Sequence, residues 1–427
     1  MINQTLNNAE IYLHRIDSQH ILIYLPLTGY ASVGTEQIVS EMETLVTNPD
    51  AQVSEHSREI YSHLCDKPRP IYHKLADSSE LLNMMILPNS KCNFHCTYCY
   101  SAYGRSGKEI SPDKLKYAID FFFEKGRAEN KRLTISVLGG GEPLLSWDLL
   151  KPALLHAIDL SERNGRKLPL SIVTNGSIIN VDIVQFILKH NVSLSVSFDI
   201  LEEIQNKQRG QYRKVVANIN HFAENGVDVA LNTVITIDNV NRMVEMIENM
   251  GNTMPLVKKV SFKPIISSDY FSDTQERQEY YDAFVTNFYK ALDIASEKHI
   301  FLTSPYYNNA SCLSNRYCPG KFVVTAEGTV SICHTVSSER DKAYDQFIYG
   351  HINDDGTLTI DEDKLAKILS HDYNSRESCK SCIARWHCAG GCYADNCSIN
   401  DDAKEAYCRS MQSFMKEFLL RKYNLNV

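Results

Sequence analysis

The chain has 427 residues, of which 43% are hydrophobic and 22% charged, and its formal net charge is −8 with a pI near 6.0. This length predicts two or three domains with a sizeable core. A chain with excess acidic residues lacks the basic surface that binds nucleic acid or an anionic membrane, so we expect neither partner. The N-terminus lacks the basic and apolar regions of a signal peptide, and no apolar run approaches the length of a membrane span. We therefore expect a soluble, cytoplasmic protein.

Residues 1–79 are predicted to form a small α+β region. Two short strands are expected over residues 11–16 and 20–25, and the apolar spacing over residues 35–46 predicts a helix. The charged, proline-bearing stretch 66–70 has the composition of a linker. Two interpretations stay open: the region packs over the next domain, or it docks a peptide, for instance through an exposed strand edge.

From about residue 80 to 300 the chain alternates predicted strands and helices. The predicted strands are residues 82–87, 133–138, 170–174, 192–198, 227–236 and 259–263. Strands that are each followed by a helix imply a parallel sheet with right-handed crossovers. Six such units are too few to close an eight-stranded barrel. We therefore predict an α/β fold, a partial (β/α)6 TIM-like barrel, whose active site lies at the carboxyl ends of the strands and whose open side admits a large substrate.

The first of these strands runs into three cysteines, Cys92, Cys96 and Cys99, at C-x3-C-x2-C spacing. Thiolates are soft ligands that suit zinc and iron–sulfur clusters. A structural zinc site needs four protein ligands, and His95 is badly placed to be the fourth because it adjoins Cys96. Three thiolates on a 4Fe–4S cluster leave one iron free for a small molecule, and this is the site that we predict.

This loop resembles the signature of the radical S-adenosylmethionine (SAM) enzymes, including the aromatic Tyr98 directly before the third cysteine. The resemblance implies that the free iron binds the amino and carboxylate groups of SAM. It also implies that an electron, from a donor such as flavodoxin or ferredoxin, cleaves SAM into methionine and a 5′-deoxyadenosyl radical that abstracts hydrogen. The cofactor then carries the hard chemistry, and the protein supplies orientation.

The next two strands end in further motifs that are typical of this family. Gly140, Gly141 and Glu142 match the Gly-Gly-Glu-Pro motif, which in the family holds the SAM amino group. Glycines at a strand end let a backbone approach a ligand closely, although a tight turn is the plainer interpretation. Thr174 and Asn175, at the end of the third strand, are also typical of the family and are expected to contact the cofactor.

The fourth strand supplies the remaining expected SAM contacts. Ser197 and Asp199 match a Ser-x-Asp pattern whose serine usually contacts SAM. Families of this group often continue with His-Asp-x-x-Arg, whereas this chain has Gln-Asn-Lys-Gln before Arg209. The resemblance makes Arg209 the candidate for the SAM carboxylate. Because the loop is shorter than usual, Arg213 is the alternative, and a solvated helix face is the plainer interpretation of either arginine.

Nine of the thirteen cysteines lie in residues 301–427, and eight of them follow one another in a definite order. These eight are Cys312, Cys318, Cys333, Cys379, Cys382, Cys388, Cys392 and Cys408. Their spacing fits a pair of zinc ribbons poorly. The array resembles the SPASM domain, a C-terminal extension of radical SAM enzymes that modify peptides and proteins. With the loop and the barrel motifs, the resemblance covers residues 80–427.

Eight thiolates suffice to ligate two further 4Fe–4S clusters. The resemblance implies that the first auxiliary cluster binds Cys312, Cys318, Cys333 and Cys392. It implies that the second binds Cys379, Cys382, Cys388 and Cys408. The chain would then hold three 4Fe–4S clusters and leave Cys65 and Cys397 over, although Cys397 is near enough in sequence to compete with Cys392.

Three functions remain open. The first is a radical SAM oxidoreductase that matures a ribosomally made (RiPP) precursor peptide by installing a cyclophane, ether or thioether cross-link. The second is an anaerobic sulfatase maturase, which forms formylglycine. In this chain the glycine of the domain is Gly328, the cysteine that follows it is Cys333, and the next residue is His334. At the position of His334 the sulfatase maturases carry an aspartate that serves as a base. The third, a non-catalytic homologue, is disfavoured because all three SAM motifs are present. We predict a peptide maturase with His334 as a catalytic base.

Overall fold

The computed structural model describes residues 4–71, 77–124, 133–266 and 270–425. Within these residues the strands form one sheet of three strands and one sheet of eleven. The three-stranded sheet belongs to the N-terminal region. The larger sheet runs through the predicted barrel and continues into the cysteine-rich part of the chain.

The N-terminal region is α+β, as predicted. It contains α1 (Gln4–Asn8), β1 (Tyr12–Arg15), β2 (Ile21–Leu25), β3 (Tyr30–Gly34), α2 (Glu36–Thr47) and α3 (Glu55–Ser62). The strands pair antiparallel in the order β1-β2-β3, which leaves β1 and β3 at the edges. Strand β3 was missed by the sequence prediction, because Ala31, Ser32 and Gly34 are weak strand formers and the pairing with β2 decides their conformation.

All six predicted barrel strands are present and parallel, which confirms the fold class. They are β4 (Asn83–Ile86), β5 (Thr134–Val137), β6 (Leu170–Thr174), β7 (Ser193–Ser197), β8 (Val229–Ile235) and β9 (Lys259–Pro264). The helices that follow them are α4 (Pro112–Phe122), α5 (Trp147–Arg163), α6 (Val181–His190), α7 (Glu202–Gln208), α8 (Tyr212–Glu224), α9 (Met243–Thr253) and α10 (Thr274–Glu297).

The sheet continues at both ends beyond the six predicted strands. At one end β10 (Phe301–Thr303) pairs parallel with β9. At the other, β11 (Phe322–Val324) pairs parallel with β4 and is followed by antiparallel β12 (Thr329–Ser331), β13 (Ile348–Ile352) and β14 (Leu358–Ile360). Strand β4 therefore lies between β5 and β11, and the cysteine loop that follows β4 adjoins the C-terminal region.

The other C-terminal elements are helices. They are α11 (Pro305–Ala310), α12 (Tyr344–Phe347), α13 (Glu362–Leu369), α14 (Arg385–Cys388), α15 (Tyr393–Ser398) and α16 (Asp401–Lys422). In the described parts of the chain, every helix is too short or too polar to cross a bilayer.

The barrel strands have one apolar and one polar face. In β9, Val260 and Phe262 are buried beneath the helices, whereas the alternate residues Ser261 and Lys263 remain accessible. Strand β8 shows the same alternation. Side chains of alternate residues point to opposite faces of a strand. The accessible set, rich in serine, threonine and asparagine, therefore lines a polar hollow on the concave side of the sheet.

The N-terminal region is fastened to the C-terminal helices by hydrogen bonds. The Trp386 indole donates to a Glu10 carboxylate oxygen at 2.6 Å, and the Tyr24 hydroxyl lies 2.9 Å from His387 Nε2. Trp386 and His387 lie in α14, between two of the predicted cluster ligands. The region therefore has a fixed position beside the cysteine-rich domain.

Candidate active site

The structure brings Cys92, Cys96 and Cys99 together at the carboxyl end of β4. All three are partly buried free thiols, and each interacts electrostatically with the other two. Burial raises the pKa of Cys92 and Cys96, while the charge of Arg105 lowers it at Cys92 and that of Arg209 lowers it at Cys96. Three soft donors beside two guanidinium groups fit an anionic iron–sulfur cluster, whose iron would stabilise the thiolates.

The described residues contain no site for a single metal ion. Among the residues that the structure describes, no three His, Cys, Asp or Glu side chains are close enough to share one ion. The thiolates of a 4Fe–4S cluster each bind a different iron, so their sulfur atoms lie further apart than the ligands of one ion.

Gly140 and Gly141 are needed because the cysteine loop passes directly over them. The Gly141 amide donates to the Asn89 carbonyl at 2.9 Å, and the Glu142 amide donates to the Lys91 carbonyl at 2.7 Å. A Cβ on Gly141 would lie 1.8 Å from the Lys91 carbonyl oxygen, and one on Gly140 would lie 2.5 Å from that of Asn89. The close approach that the glycines permit is thus to the protein's own loop.

The Glu142 carboxylate joins the loops that follow β5 and β6. It accepts hydrogen bonds from the Leu144 amide at 3.1 Å, the Thr174 hydroxyl at 2.6 Å and the Asn175 amide at 2.6 Å. Burial raises the pKa of Glu142, and these three hydrogen bonds act in the opposite direction. Thr174 and Asn175 therefore position Glu142. The sequence predicted them only as direct contacts to the cofactor and did not predict this role.

Two asparagines of the cysteine loop were missed by the sequence prediction. Asn93 Oδ1 accepts from the Asn175 amide group at 2.9 Å, and its own amide group donates to Ser177 at 2.9 Å. Asn89 donates to the Glu142 carbonyl at 3.1 Å and to Ser146 at 2.6 Å. Asparagine is common in loops, so the sequence around these residues carries no signal that separates them from ordinary turn residues.

Tyr98, Asp199 and Arg209 form one buried polar chain. The Tyr98 hydroxyl donates to Asp199 at 2.6 Å and accepts from Arg209 at 3.0 Å. Burial raises the pKa of Asp199, and the charge of Arg209 opposes this shift. Arg209 Nε is buried without a hydrogen-bond partner within the described chain, so a donor is available for a bound carboxylate.

Arg213 lies apart from this site. Its side chain is 91% exposed, and its Nε lies 3.4 Å from Glu202 Oε1. Arg213 thus belongs to a solvated helix face, which was the plainer of the two interpretations. Of the two candidate arginines, the buried Arg209 is the one beside the cysteine loop. Ser197 ends β7 on the accessible, hollow-facing side of the strand, so its hydroxyl is open to a ligand.

The four cysteines predicted for the second auxiliary cluster lie together. Cys388 interacts electrostatically with the other three, and Cys379 and Cys382 both interact with Cys408. All four line one cavity beneath α14 and α16. The cavity walls are mostly apolar, which suits a buried cluster.

The first auxiliary set is brought together in part. Cys392 interacts electrostatically with Cys318 and Cys333. Cys312, by contrast, is exposed; its thiol contacts the Asn308 carbonyl at 3.5 Å and borders a groove that is also lined by Arg69 and Lys422. Three of the four predicted ligands therefore lie together, and the assignment of Cys312 as the fourth stays a prediction. Cys397 and Cys65 are exposed thiols, in keeping with their exclusion from the ligand sets.

His334 lies between the two ligand groups. Its ring contacts that of Tyr100, the residue after Cys99, edge-on at a centroid distance of 5.7 Å. Its Nδ1 is 3.4 Å from the Lys321 ammonium. Burial, followed by the charges of Lys321 and Lys263, holds the pKa of His334 well below its usual range, so the imidazole is neutral at neutral pH.

The comparison with protein families decides what this loop and barrel belong to. Residues 86–250 match the model of the radical SAM superfamily. Residues 86–250 are a radical SAM domain. The superfamily is one of enzymes that use SAM and a 4Fe–4S cluster, and the matched segment contains all the predicted contacts to that cluster and to SAM.

Two known radical SAM proteins resemble the chain over most of its length. TigE of Paramaledivibacter caminithermalis, a radical SAM cyclopropyl synthase, is 24% identical over 358 residues, which are 78% of this chain and 72% of TigE. A cysteine-type anaerobic sulfatase-maturating enzyme of Clostridium novyi is 24% identical over 370 residues, 79% of this chain and 95% of that enzyme.

Two solved structures with bound S-adenosylmethionine share the fold. The anSMEcpe structure with bound AdoMet has a TM-score of 0.64 at 18% identity and covers 80% of this chain and 99% of that chain. Streptococcus suis SuiB bound to S-adenosylmethionine has a TM-score of 0.51 at 15% identity, and the match covers 92% of this chain and 97% of SuiB. At these identities the likeness shows the fold alone, and it confirms the predicted fold class.

We expect the anaerobically reconstituted protein to contain about twelve iron atoms per chain, because eleven cysteines are assigned to three 4Fe–4S clusters. Alanine at Cys92, Cys96 and Cys99 together should remove about four of these atoms by chemical iron assay. Alanine at Cys65 should remove none. Stoichiometric zinc with little iron would contradict the assignment.

Replacing Glu142 by glutamine should weaken SAM binding about ten- to a hundred-fold, because a charge-assisted hydrogen bond contributes about 1.5–3 kcal/mol. Glutamine retains the shape of the side chain but only one acceptor oxygen, so it can accept from the amide of Leu144 or from that of Asn175, which donate to different oxygens of Glu142. Equilibrium SAM binding measures the effect, and iron content shows whether the loop is intact. Unchanged SAM affinity with full iron would remove Glu142 from the SAM site and leave it as the anchor of Thr174 and Asn175.

Proposed function

We propose that this protein is a radical SAM peptide maturase that abstracts a hydrogen atom from a precursor peptide and installs a cross-link. One observation carries the proposal: the ring of Tyr100, the residue after Cys99, packs edge-on against the ring of His334, the residue after Cys333. The SAM-cluster loop and the first auxiliary cysteine group therefore lie close to each other. A substrate bound beside these rings would lie between a hydrogen-abstracting centre and a second redox centre.

The bound cofactors supply the radical that abstracts the hydrogen atom and the sites that exchange electrons. The chain's own residues hold and orient the reactants. Arg209 offers Nε to the SAM carboxylate, and Glu142 offers a negative charge to its ammonium group. Buried Tyr98 and Asp199 keep Arg209 in place through the hydrogen bonds described above. An external electron donor, such as flavodoxin or ferredoxin, starts each turnover.

Relatives with bound peptides support a peptide substrate. SuiB has been solved bound to its precursor peptide SuiA, and anSMEcpe with bound AdoMet and a Cp18Cys peptide. The likeness to SuiB covers 92% of this chain, whereas that to anSMEcpe covers 80%. The larger coverage favours a SuiB-like organisation in which the N-terminal residues belong to the shared fold.

The N-terminal region is our candidate for gripping the peptide. Strand β3 lies at a sheet edge, where free backbone groups accept an added strand. Tyr30 stacks on His63 at 3.8 Å, and Ser32 lies 2.9 Å from His56 Nε2, so α3 and the residue that follows it pack beside this strand. A leader segment added to β3 would lie on a region that is fixed against α14.

The reaction that we favour forms a cyclophane, ether or thioether cross-link. Formylglycine formation is the second candidate, since the Clostridium novyi relative is matched over 95% of its length. His334 is what separates the two: sulfatase maturases resemble this chain but carry an aspartate base at the corresponding position. The intact SAM motifs disfavour a non-catalytic homologue.

Mass spectrometry distinguishes a cross-linked peptide from one that contains formylglycine. Reduced enzyme with SAM should release 5′-deoxyadenosine. A candidate precursor peptide, sought in the short reading frames next to the gene, should become a product that has lost two hydrogen atoms and retained every side chain. A sulfatase-derived peptide serves as the second substrate, and formylglycine in it would support the alternative. If neither peptide is altered while 5′-deoxyadenosine forms, the peptide-maturase proposal fails.

His334 is proposed as the base that takes the proton released on cross-linking. The ring is neutral and so can accept a proton, although a pKa held well below the usual range makes it a weak base. The Lys321 contact at Nδ1 opposes this role, because an ammonium donating there leaves the ring proton on Nε2. Accepting a substrate proton at Nε2 therefore requires Lys321 to release Nδ1.

Replacing His334 by glutamine tests this role. Product formation should fall by about 10²–10⁴-fold, which is typical when acid–base catalysis is lost, while iron content is retained. Product and 5′-deoxyadenosine are measured in the same single-turnover sample, so that uncoupled SAM cleavage is separated from cross-linking. Product within a few-fold of the unmodified enzyme would make His334 a structural residue of the cluster loop.

A further inference from the structure

A buried glutamine stands where the family pattern has a histidine. In His-Asp-x-x-Arg the histidine lies four residues before the arginine, and in this chain Gln205 has that place before Arg209. Gln205 is fully buried in α7, whereas its neighbours Asn206 and Lys207 are exposed. Glutamine is mostly found at the surface, because a buried amide needs partners for both its donors and its acceptor. The partners of this amide therefore indicate what Gln205 does.

The Gln205 side chain joins the segments on either side of α7. Its Oε1 accepts from the Asp199 backbone amide at 2.9 Å, and its Nε2 donates to the Gly210 carbonyl at 2.8 Å. A backbone N–H can only donate and a carbonyl can only accept, so these two partners fix the orientation of the amide. One side chain thus holds both the chain before α7 and the chain after it.

The main chain of Gln205 holds the same exit from the helix. Its carbonyl accepts from the Arg209 amide at 2.8 Å and from the Gly210 amide at 2.6 Å. Both backbone groups of Gly210 are therefore bound to Gln205, one to its carbonyl and one to its side chain. The φ of Gly210 is +88°, which glycine adopts readily. Arg209 directly precedes this fixed glycine, so these bonds set the direction in which its side chain leaves the backbone.

The side chain of Arg209 leads back to the other segment that Gln205 holds. The guanidinium group donates to the Tyr98 hydroxyl at 3.0 Å, and that hydroxyl donates to Asp199 at 2.6 Å. The backbone amide of Asp199 is the one that donates to Gln205. Gln205 thus fixes both ends of the polar chain that contains the expected donor to the SAM carboxylate.

The cysteine loop has a separate attachment to α7. The amide of Thr97, the residue after Cys96, donates to the Gln208 carbonyl at 2.9 Å. The Gln208 side chain in turn donates to the Thr236 hydroxyl at 2.7 Å. Neither bond uses the side chain of Gln205, so we expect the loop to keep its place, and the protein its iron, when that side chain is replaced.

We propose that Gln205 is a positioning residue for SAM, which holds Arg209 in the orientation in which its guanidinium group meets the SAM carboxylate. Gln205 acts through Arg209 and does not itself touch the cofactor. The role requires a side chain that donates and accepts at once, and a neutral histidine also meets this requirement. SAM binding precedes any choice of substrate, so this role is independent of the peptide cross-linking proposed above.

Equilibrium dialysis of the reconstituted holoenzyme against SAM and against decarboxylated SAM tests this role, because the two ligands differ only in the carboxylate. The clusters are kept oxidised, so that SAM is bound but not cleaved. We expect Gln205→Met to bind SAM about tenfold more weakly than the unmodified protein, and decarboxylated SAM to within about threefold. A misplaced Arg209 weakens only the ligand with a carboxylate, whereas damage to the whole site weakens both.

Three further variants identify the path of the effect. Gln205→His should restore SAM affinity to within about threefold, because a neutral ring can make both bonds. SAM binding by Gln205→Met combined with Arg209→Gln should be no weaker than by Arg209→Gln alone, since both substitutions act on one contact. The matched control is Asn206→Leu, which removes a hydrogen bond from the same helix to the Tyr212 amide and should bind both ligands as the unmodified protein does.

Iron content shows whether each variant is assembled. Unchanged SAM affinity in Gln205→Met, equal weakening of both ligands, additive losses in the double variant, or a Gln205→His protein no better than Gln205→Met would each overturn the role. If Gln205→Met loses its iron, Gln205→Glu takes its place, because a carboxylate keeps the shape and the acceptor but cannot donate to Gly210. Weaker binding of SAM alone is expected there too, and unchanged SAM affinity in that variant would again overturn the role.

Discussion

The close passage of one backbone over another is the constraint on which the site depends. The cysteine loop crosses the Gly140–Gly141 segment so tightly that any side chain on Gly141 would collide with the Lys91 carbonyl. The same contact brings Glu142 into the protein, where Thr174 and Asn175 pair with its carboxylate. Loops from three successive strands are thereby held as one unit, and the three thiols converge because that unit is rigid.

The position of β4 in the large sheet gives the hollow its second wall. Because β4 pairs with both β5 and β11, the chain after residue 320 returns beside the strand that carries the SAM-cluster loop. Cys333 and His334 follow β12, two strands from β4, and His334 then meets Tyr100. This strand order therefore brings the residue after Cys99 into contact with the residue after Cys333, as the proposed function requires.

The surroundings of the cysteines differ in charge from the protein as a whole. The chain carries a net charge of −8, yet the positive charges of Arg105, Arg209 and Lys321 act on Cys92, Cys96 and Cys333, respectively. Overall charge governs solubility and non-specific association, whereas recognition depends on a few groups that are shielded from water. A thiolate-ligated cluster and the SAM carboxylate are both anionic, so local positive charge suits each of them.

The sequence by itself determined the chemistry and the class of fold. Ligand spacing in Cys92, Cys96 and Cys99 is local, and six apolar runs separated by helices allow few arrangements other than a parallel sheet. Tertiary structure alone decided which side chains share a site. It placed Arg209 beside the cysteine loop and Arg213 in solvent. It also paired Thr174 and Asn175 with Glu142 and brought Tyr100 against His334. These pairs are far apart in the chain or differ only in the direction of a side chain, and both properties are fixed by packing between elements, which no local pattern encodes.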